Sequence, residues 1–391
     1  MPIPRLWNYE GPAILSYGFR PFFFFGAIYS GLAVLLWVPL FQGWLEIQTA
    51  FHPIDWHIHE MLFGFLPAVV TGFLLTAVPN WTGRLPVQGS KLGILVALWV
   101  IGRIAVLFSA WIGAIPAACL DGLFLLAVTA ATANEIVSGR NWRNLKVLIP
   151  LTVLFLGNVV FHLEAYFQGT SDYARRLGVA AAITLIMLIG GRIIPSFTRN
   201  WLVRENPGRL PVSFGRLDVF AVVASVLALG LWVARPELVL TGALMVAAGG
   251  VNLVRMARWA GERTLREPLV FILHIAFLFV PAGFVLTGLT VLLPAFVLPQ
   301  AGYHAFGAGA IGTMTLAVMM RATLGHTGHE LSMSKGAMAV FLLALVAVVT
   351  RLAAAFDLGA GAHLIEISGG AWAASFLGFA LVFGPMLLKP R

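Results

Sequence analysis

The chain has 391 residues, 60% of them hydrophobic and only 10% charged, with a mean hydropathy of +0.91. Water-soluble domains carry about 25% charged residues and about half apolar ones, and no fold of this length hides so much apolar surface from water. This excludes a cytosolic enzyme, a nucleic-acid-binding protein and a disordered scaffold, and predicts an all-α, polytopic integral membrane bundle.

The lone Cys119 excludes a disulfide framework, a CxxC redox pair and a cysteine-ligated iron–sulfur cluster. The net charge of +9 follows from the collection of basic residues in cytoplasmic loops. The opening Met1-Pro-Ile-Pro-Arg-Leu-Trp7 has no short apolar core with a small-residue cleavage site, so no signal peptide is expected.

A helix crosses the hydrocarbon core in about 20 apolar residues. Such stretches lie at 21–41, 55–79, 91–112, 115–137, 145–168, 174–195, 214–234, 236–256, 267–293, 302–322, 336–356 and 363–387. They predict twelve spans in a single membrane domain over 1–391. The seventh and eighth are parted only by Arg235-Pro-Glu237. An N-terminus inside puts most basic residues in cytoplasmic loops, among them Arg5, Arg84, Arg140, Arg204, Arg263 and Arg391. Only Arg175, Arg176, Arg235 and Arg351 then lie outside, with Arg103 inside a span. Both termini are expected in the cytoplasm, in agreement with the even span count.

The longest connection, 196–213, reads as an Arg-rich cytoplasmic loop that anchors to lipid headgroups. Spans two, six and ten share Pro- or Gly/Thr-rich ends, and His59 and His304 each precede a threonine, Thr82 and Thr327, by 23 residues. Repeated four-helix units and chance similarity of span ends both account for this echo.

Ionisable groups inside spans are costly and mark functional sites. The sharpest cluster is Trp56-His-Ile-His-Glu60. Imidazole is the commonest metal ligand and also ligates haem iron. On a regular helix His57 and Glu60 share a face, while His59 is turned away. A polar helix cap with an interfacial tryptophan would explain the cluster equally. His162, about 9 Å from the outer end of span five, and His304, opening span ten, lie at similar depth and favour metal. The outer layer of candidate ligands is therefore His57, His59, His162 and His304, with Asn158 on the His162 face.

Glu60 is a candidate catalytic proton donor, and Glu164 lies in reach of the same layer. Arg103 and Asp121, on adjacent antiparallel spans at similar depth, read as an ion pair; Arg103 also suits a haem propionate. His274 in span nine and His326 in the loop after span ten could bracket an inner haem, although a core histidine bonded to the backbone explains His274 as well. Arg192 and Arg321 end spans six and ten as anchors or cofactor contacts.

Several longer motifs run together: Gly18-Phe-Arg-Pro-Phe-Phe23, Trp56 through Gly64, Gly72-Phe-Leu-Leu-Thr-Ala-Val-Pro-Asn-Trp-Thr-Gly-Arg84, Gly190-Gly-Arg-Ile-Ile-Pro-Ser-Phe-Thr-Arg-Asn200, and His304 with Gly312 through Gly328. In combination they resemble the NnrS family over most of the chain. The resemblance implies a multi-pass protein of the bacterial inner membrane that contains haem, expected to be b-type, and copper. It is linked to denitrification and nitrosative stress. His57, His59, His162, His274, His304 and His326 fall at the family's motif positions; His52, His329 and His363 stand outside them.

The expected partner is nitric oxide or another small diatomic, with a quinol or other electron donor and no nucleic acid; oligomeric state stays open. The expected function is nitric oxide reduction or scavenging, in which two NO, two electrons and two protons would give nitrous oxide and water. Two other classes fit the same architecture. One is a transporter for copper, haem or a nitrosylated iron species, against which no strongly interrupted spans are apparent in matching halves. The other is a quinol-linked haem electron-transfer subunit.

Overall fold

The structure, a computed structural model, describes residues 9–356 and 361–390. Arg5, Arg391 and the opening heptapeptide lie outside the described residues. Twelve helices are long and apolar enough to cross a membrane, and no strand occurs among the described residues. They run Phe19–Phe41, Pro53–Thr82, Ser90–Leu107, Ala114–Ser138, Trp142–Gln168, Asp172–Glu205, Arg216–Ala234, Val239–Ala257, Pro268–Leu292, Pro299–Thr327, Lys335–Ala355 and Gly361–Leu388. Each predicted span has its helix, including the closely spaced seventh and eighth.

Two boundaries differ from expectation. The sixth helix continues through the Arg-rich segment to Glu205, so the long expected loop shrinks and Arg192 sits inside the helix rather than at its end. The predicted end falls at Pro195, which the helix carries in its interior; 196–205 holds neither Pro nor Gly, and the helix ends only before Asn206-Pro-Gly208. The tenth helix likewise runs on to Thr327, which places His326 in its last turn instead of in a loop.

The second and tenth helices change their winding part-way. Helix Pro53–His59 passes into a π-helical stretch, Glu60–Phe65, before regular helix resumes at Leu66. Pro67 has no N–H to give the carbonyl four residues back, which favours the wider turn there. The tenth helix repeats the pattern, with Pro299–His304 followed by π-helical Ala305–Gly312. Both helices stay continuous through these stretches, so no strongly interrupted span occurs among the described residues. Single-residue hydropathy does not register a change of backbone winding, because the apolar composition is the same on both sides of it.

The chain packs as two compact units. Among the described residues the first comprises 9–178, 322–329 and 376–390. In it Arg20, from the Gly18-Phe-Arg-Pro motif and only 6% exposed, donates to the carbonyls of Leu387 at 2.9 Å and Lys389 at 2.8 Å. A guanidinium at orphan C-terminal carbonyls satisfies acceptors that the helix cannot.

Among the described residues the second unit comprises 179–321, 330–356 and 361–375. Its buried charge is the pair Asp218–Arg255, with Nε 3.0 Å from Oδ1. The other carboxylate oxygen accepts from the Gly215 N–H at 3.0 Å and so also caps the seventh helix.

Candidate metal centre

Glu60, His59, Asp121, Asn158, His162 and Arg103 are all buried in the first unit, each no more than 7% exposed. They come from four helices. His59 and Asp121 lie six and seven residues inside the starts of the second and fourth, and His162 six residues before the end of the fifth. At 1.5 Å per residue each is about 9–11 Å from the same end of its helix.

Arg103 organises the charges. Its Nη1 lies 2.5 Å from Glu60 Oε2 and its Nη2 bonds Asp121 Oδ1. The expected Arg103–Asp121 ion pair is present, with Glu60 as a second carboxylate on the same fork. The Tyr29 hydroxyl donates to Glu60 Oε2 as well. Glycine permits this approach: a Cβ on Gly64 would lie 2.5 Å from Arg103 Nη1 and 2.7 Å from Glu60 Oε2.

The far side of the carboxylates faces the imidazoles. Glu60 Oε1 is 2.9 Å from His59 Nδ1. Asp121 Oδ2 is 3.2 Å from His59 Nε2 and 3.0 Å from His162 Nε2. Asn158 spans the pair, its Nδ2 donating to Asp121 Oδ2 at 2.8 Å and its Oδ1 2.9 Å from His59 Nε2. His59 Nε2, Asp121 and His162 thus offer three ligand atoms within 4.8 Å of one another. Glu60 stands behind His59 in the carboxylate–histidine arrangement that fixes the tautomer of a metal ligand. Two carboxylates face one guanidinium, so a cation or a protonated ring must balance the remaining negative charge.

The other expected ligands have different surroundings. The His57 ring stacks on Trp37, centroids 4.2 Å apart, and Trp56 is only 2% exposed rather than at a headgroup surface. His304 belongs to the second unit. Its Nδ1 is 2.7 Å from the Gln300 carbonyl and its Nε2 accepts from Arg351 Nε at 2.9 Å. His274, also in the second unit, has Nε2 2.8 Å from Thr198 Oγ1, with Gly261 so close that a Cβ there would lie 2.5 Å from Nδ1. His326, in the first unit, lies beside the Tyr17 and Phe19 rings.

Glu164 is not part of the histidine layer. It accepts the N–H groups of Tyr173 and Ala174 at 2.9 and 2.7 Å and so caps the start of the sixth helix. Arg192 is exposed. Arg321 lies over the Phe197 ring, 4.3 Å from its centroid, and 3.9 Å from Glu267.

Sequence reasoning missed two members. Tyr29 was hidden among the phenylalanines of the first span, where a lone hydroxyl was the available signal. Asp121 was seen only as the partner of Arg103, although a carboxylate there has a second oxygen to offer.

Twelve apolar helices and a buried His–Asp–His group define a multi-pass membrane protein with a metal-competent centre. The chain belongs to the NnrS family: the family model described as NnrS protein matches residues 13–391. No curated protein matches the chain.

Proposed function

We propose that this protein is a metal-containing protein of the bacterial inner membrane that acts on nitric oxide, by reduction or by scavenging. The observation that carries the reading is the convergence of His59, Asp121 and His162 in the bilayer region with Glu60 and Arg103 behind them. With both termini cytoplasmic, this group lies about 9–11 Å below the periplasmic ends of its helices, within reach of a small apolar gas that partitions into lipid.

The family resemblance names copper and haem. Two imidazoles and a carboxylate suit a first-row transition ion, and the donor set admits copper or iron. A bound ion with an open position supplies a coordination point for a diatomic ligand. His59 would present Nε2 to it while Nδ1–H is held by Glu60, and Asp121 would present Oδ2 while Oδ1 stays on Arg103. Glu60 accepts from Arg103, from the Tyr29 hydroxyl and from His59 Nδ1–H, so it stands there as a carboxylate able to receive a proton relayed through these donors. Of the two histidines expected to bracket an inner haem, His274 lies in the second unit with Nε2 2.8 Å from Thr198 Oγ1, and His326 lies in the first beside the Tyr17 and Phe19 rings.

The test is metal analysis with reduced-minus-oxidised spectra, with and without NO, on the purified protein. His59→Ala and His162→Ala should each lose metal and blunt the response to NO, whereas His57→Ala should keep both. Unchanged metal and NO response in the first two variants refutes the reading.

A transporter is the second reading, since twelve spans joined by short connections are an architecture that secondary transporters share. Substrate-dependent uptake into proteoliposomes would establish it, and equal fluxes with and without protein would end it.

A further inference from the structure

We propose that His59, Asp121 and His162 form a two-histidine, one-carboxylate site for non-haem ferrous iron, with coordination positions left open for an exogenous ligand. The inference rests on the reading that this group is the metal centre, and departs from it in the identity of the ion.

Three observations favour iron at this point. The first is spacing. First-row ions bind imidazole nitrogen and carboxylate oxygen at about 2.0–2.2 Å, so adjacent ligands lie about 3.0 Å apart on an octahedron and about 3.4 Å apart on a tetrahedron. Asp121 Oδ2 is 3.0 Å from His162 Nε2, at the octahedral edge, and 3.2 Å from His59 Nε2, between the two. Three protein ligands leave further positions of an octahedral ion open.

The second is donor chemistry. Cuprous copper, the reduced state that meets NO, favours sulfur donors, and this group holds none. Its third donor is an anionic oxygen, a hard ligand suited to a ferrous ion beside two imidazoles. The Asn158 carboxamide oxygen, 2.9 Å from His59 Nε2, adds another oxygen to the same pocket.

The third is charge. Glu60 and Asp121 carry two negative charges against the single guanidinium of Arg103. One negative charge remains, and a divalent ion at the three ligand atoms more than offsets it while both histidines remain neutral. Glu60 then keeps the His59 ring oriented through Nδ1.

The experiment uses the full-length protein purified anaerobically in detergent, stripped with chelator and reconstituted with ferrous iron alone or cuprous copper alone, then exposed to NO. Asp121→Asn removes a ligand but also disturbs Arg103, so His162→Ala, which leaves the Arg103 fork intact, is the decisive variant. Elution as a single species on size exclusion verifies its fold. The wild type should take up about one iron and give the high-spin EPR signal of a non-haem ferrous nitrosyl. His162→Ala should lose both, and Glu60→Gln should weaken iron binding about 10- to 100-fold. Copper retained at this site, lost in His162→Ala and accompanied by no non-haem ferrous nitrosyl, overturns the iron assignment but leaves the metal centre standing. Iron and copper uptake unchanged in His162→Ala and Asp121→Asn overturns both.

Discussion

Arg103→Met removes the cation from the middle of the buried network. Arg103 is 6% exposed, Glu60 fully buried and Asp121 1% exposed, so water cannot take over the lost role. Breaking one buried pair costs about 3–5 kcal/mol, because the remaining charge is left without a partner. Here one guanidinium serves two carboxylates, at Glu60 Oε2 and Asp121 Oδ1, which places the loss toward the upper end. At 1.36 kcal/mol per decade this lowers the folded-to-unfolded ratio by roughly several hundred- to several thousand-fold. Arg103→Lys should be intermediate, since one ammonium cannot fork to both oxygens. The measurement is thermal unfolding in detergent, by tryptophan fluorescence, on chelator-treated protein so that no bound ion substitutes for the missing charge. The triple variant Arg103→Met, Glu60→Gln, Asp121→Asn should recover much of the loss, because it leaves no buried charge alone. A melting temperature of Arg103→Met equal to that of the wild type, or no recovery in the triple variant, would refute the reasoning.

Two further outcomes follow from neighbouring groups. Gly64→Ala should destabilise the protein by about 1–3 kcal/mol and reduce metal retention, since the new methyl would press on both Arg103 Nη1 and Glu60 Oε2; wild-type stability and metal content would count against the packing described. Glu267, in the turn before the ninth span, has its carboxyl pushed above the ordinary range by burial, opposed by Arg321 and Arg204. A carboxyl raised in the folded state holds its proton more tightly there than when unfolded, so its contribution is full below about pH 4.5 and is lost as pH rises through the folded value. Glu267→Gln should therefore flatten the stability profile above pH 4.5, and a profile that keeps the wild-type slope would exclude this carboxyl as its source.

Much of the architecture was legible from composition. Hydropathy located all twelve helices because burial in lipid demands long apolar runs, and the Arg103–Asp121 pair could be anticipated because two costly charges on adjacent antiparallel helices fell at one depth. Helix ends were less legible. Arg199 and Arg204 looked like loop residues, yet the backbone continues in helix to Glu205 until a Pro–Gly pair stops it. The π-helical turns after His59 and His304 left no trace in hydropathy.

By itself the sequence determined the solvent this protein folds in, the number of its spans, the family and the short set of side chains that lipid would not tolerate without purpose. Depth along a helix is a count of residues, and a linear sequence reports it well. Which histidines meet was decided only by tertiary structure. Helix rotation sets whether an imidazole at the right depth faces a partner, and the winding change after His59 together with packing on neighbouring helices sets that rotation. His59 and His162 close on Asp121, while His57, two residues away from His59, turns its ring to Trp37.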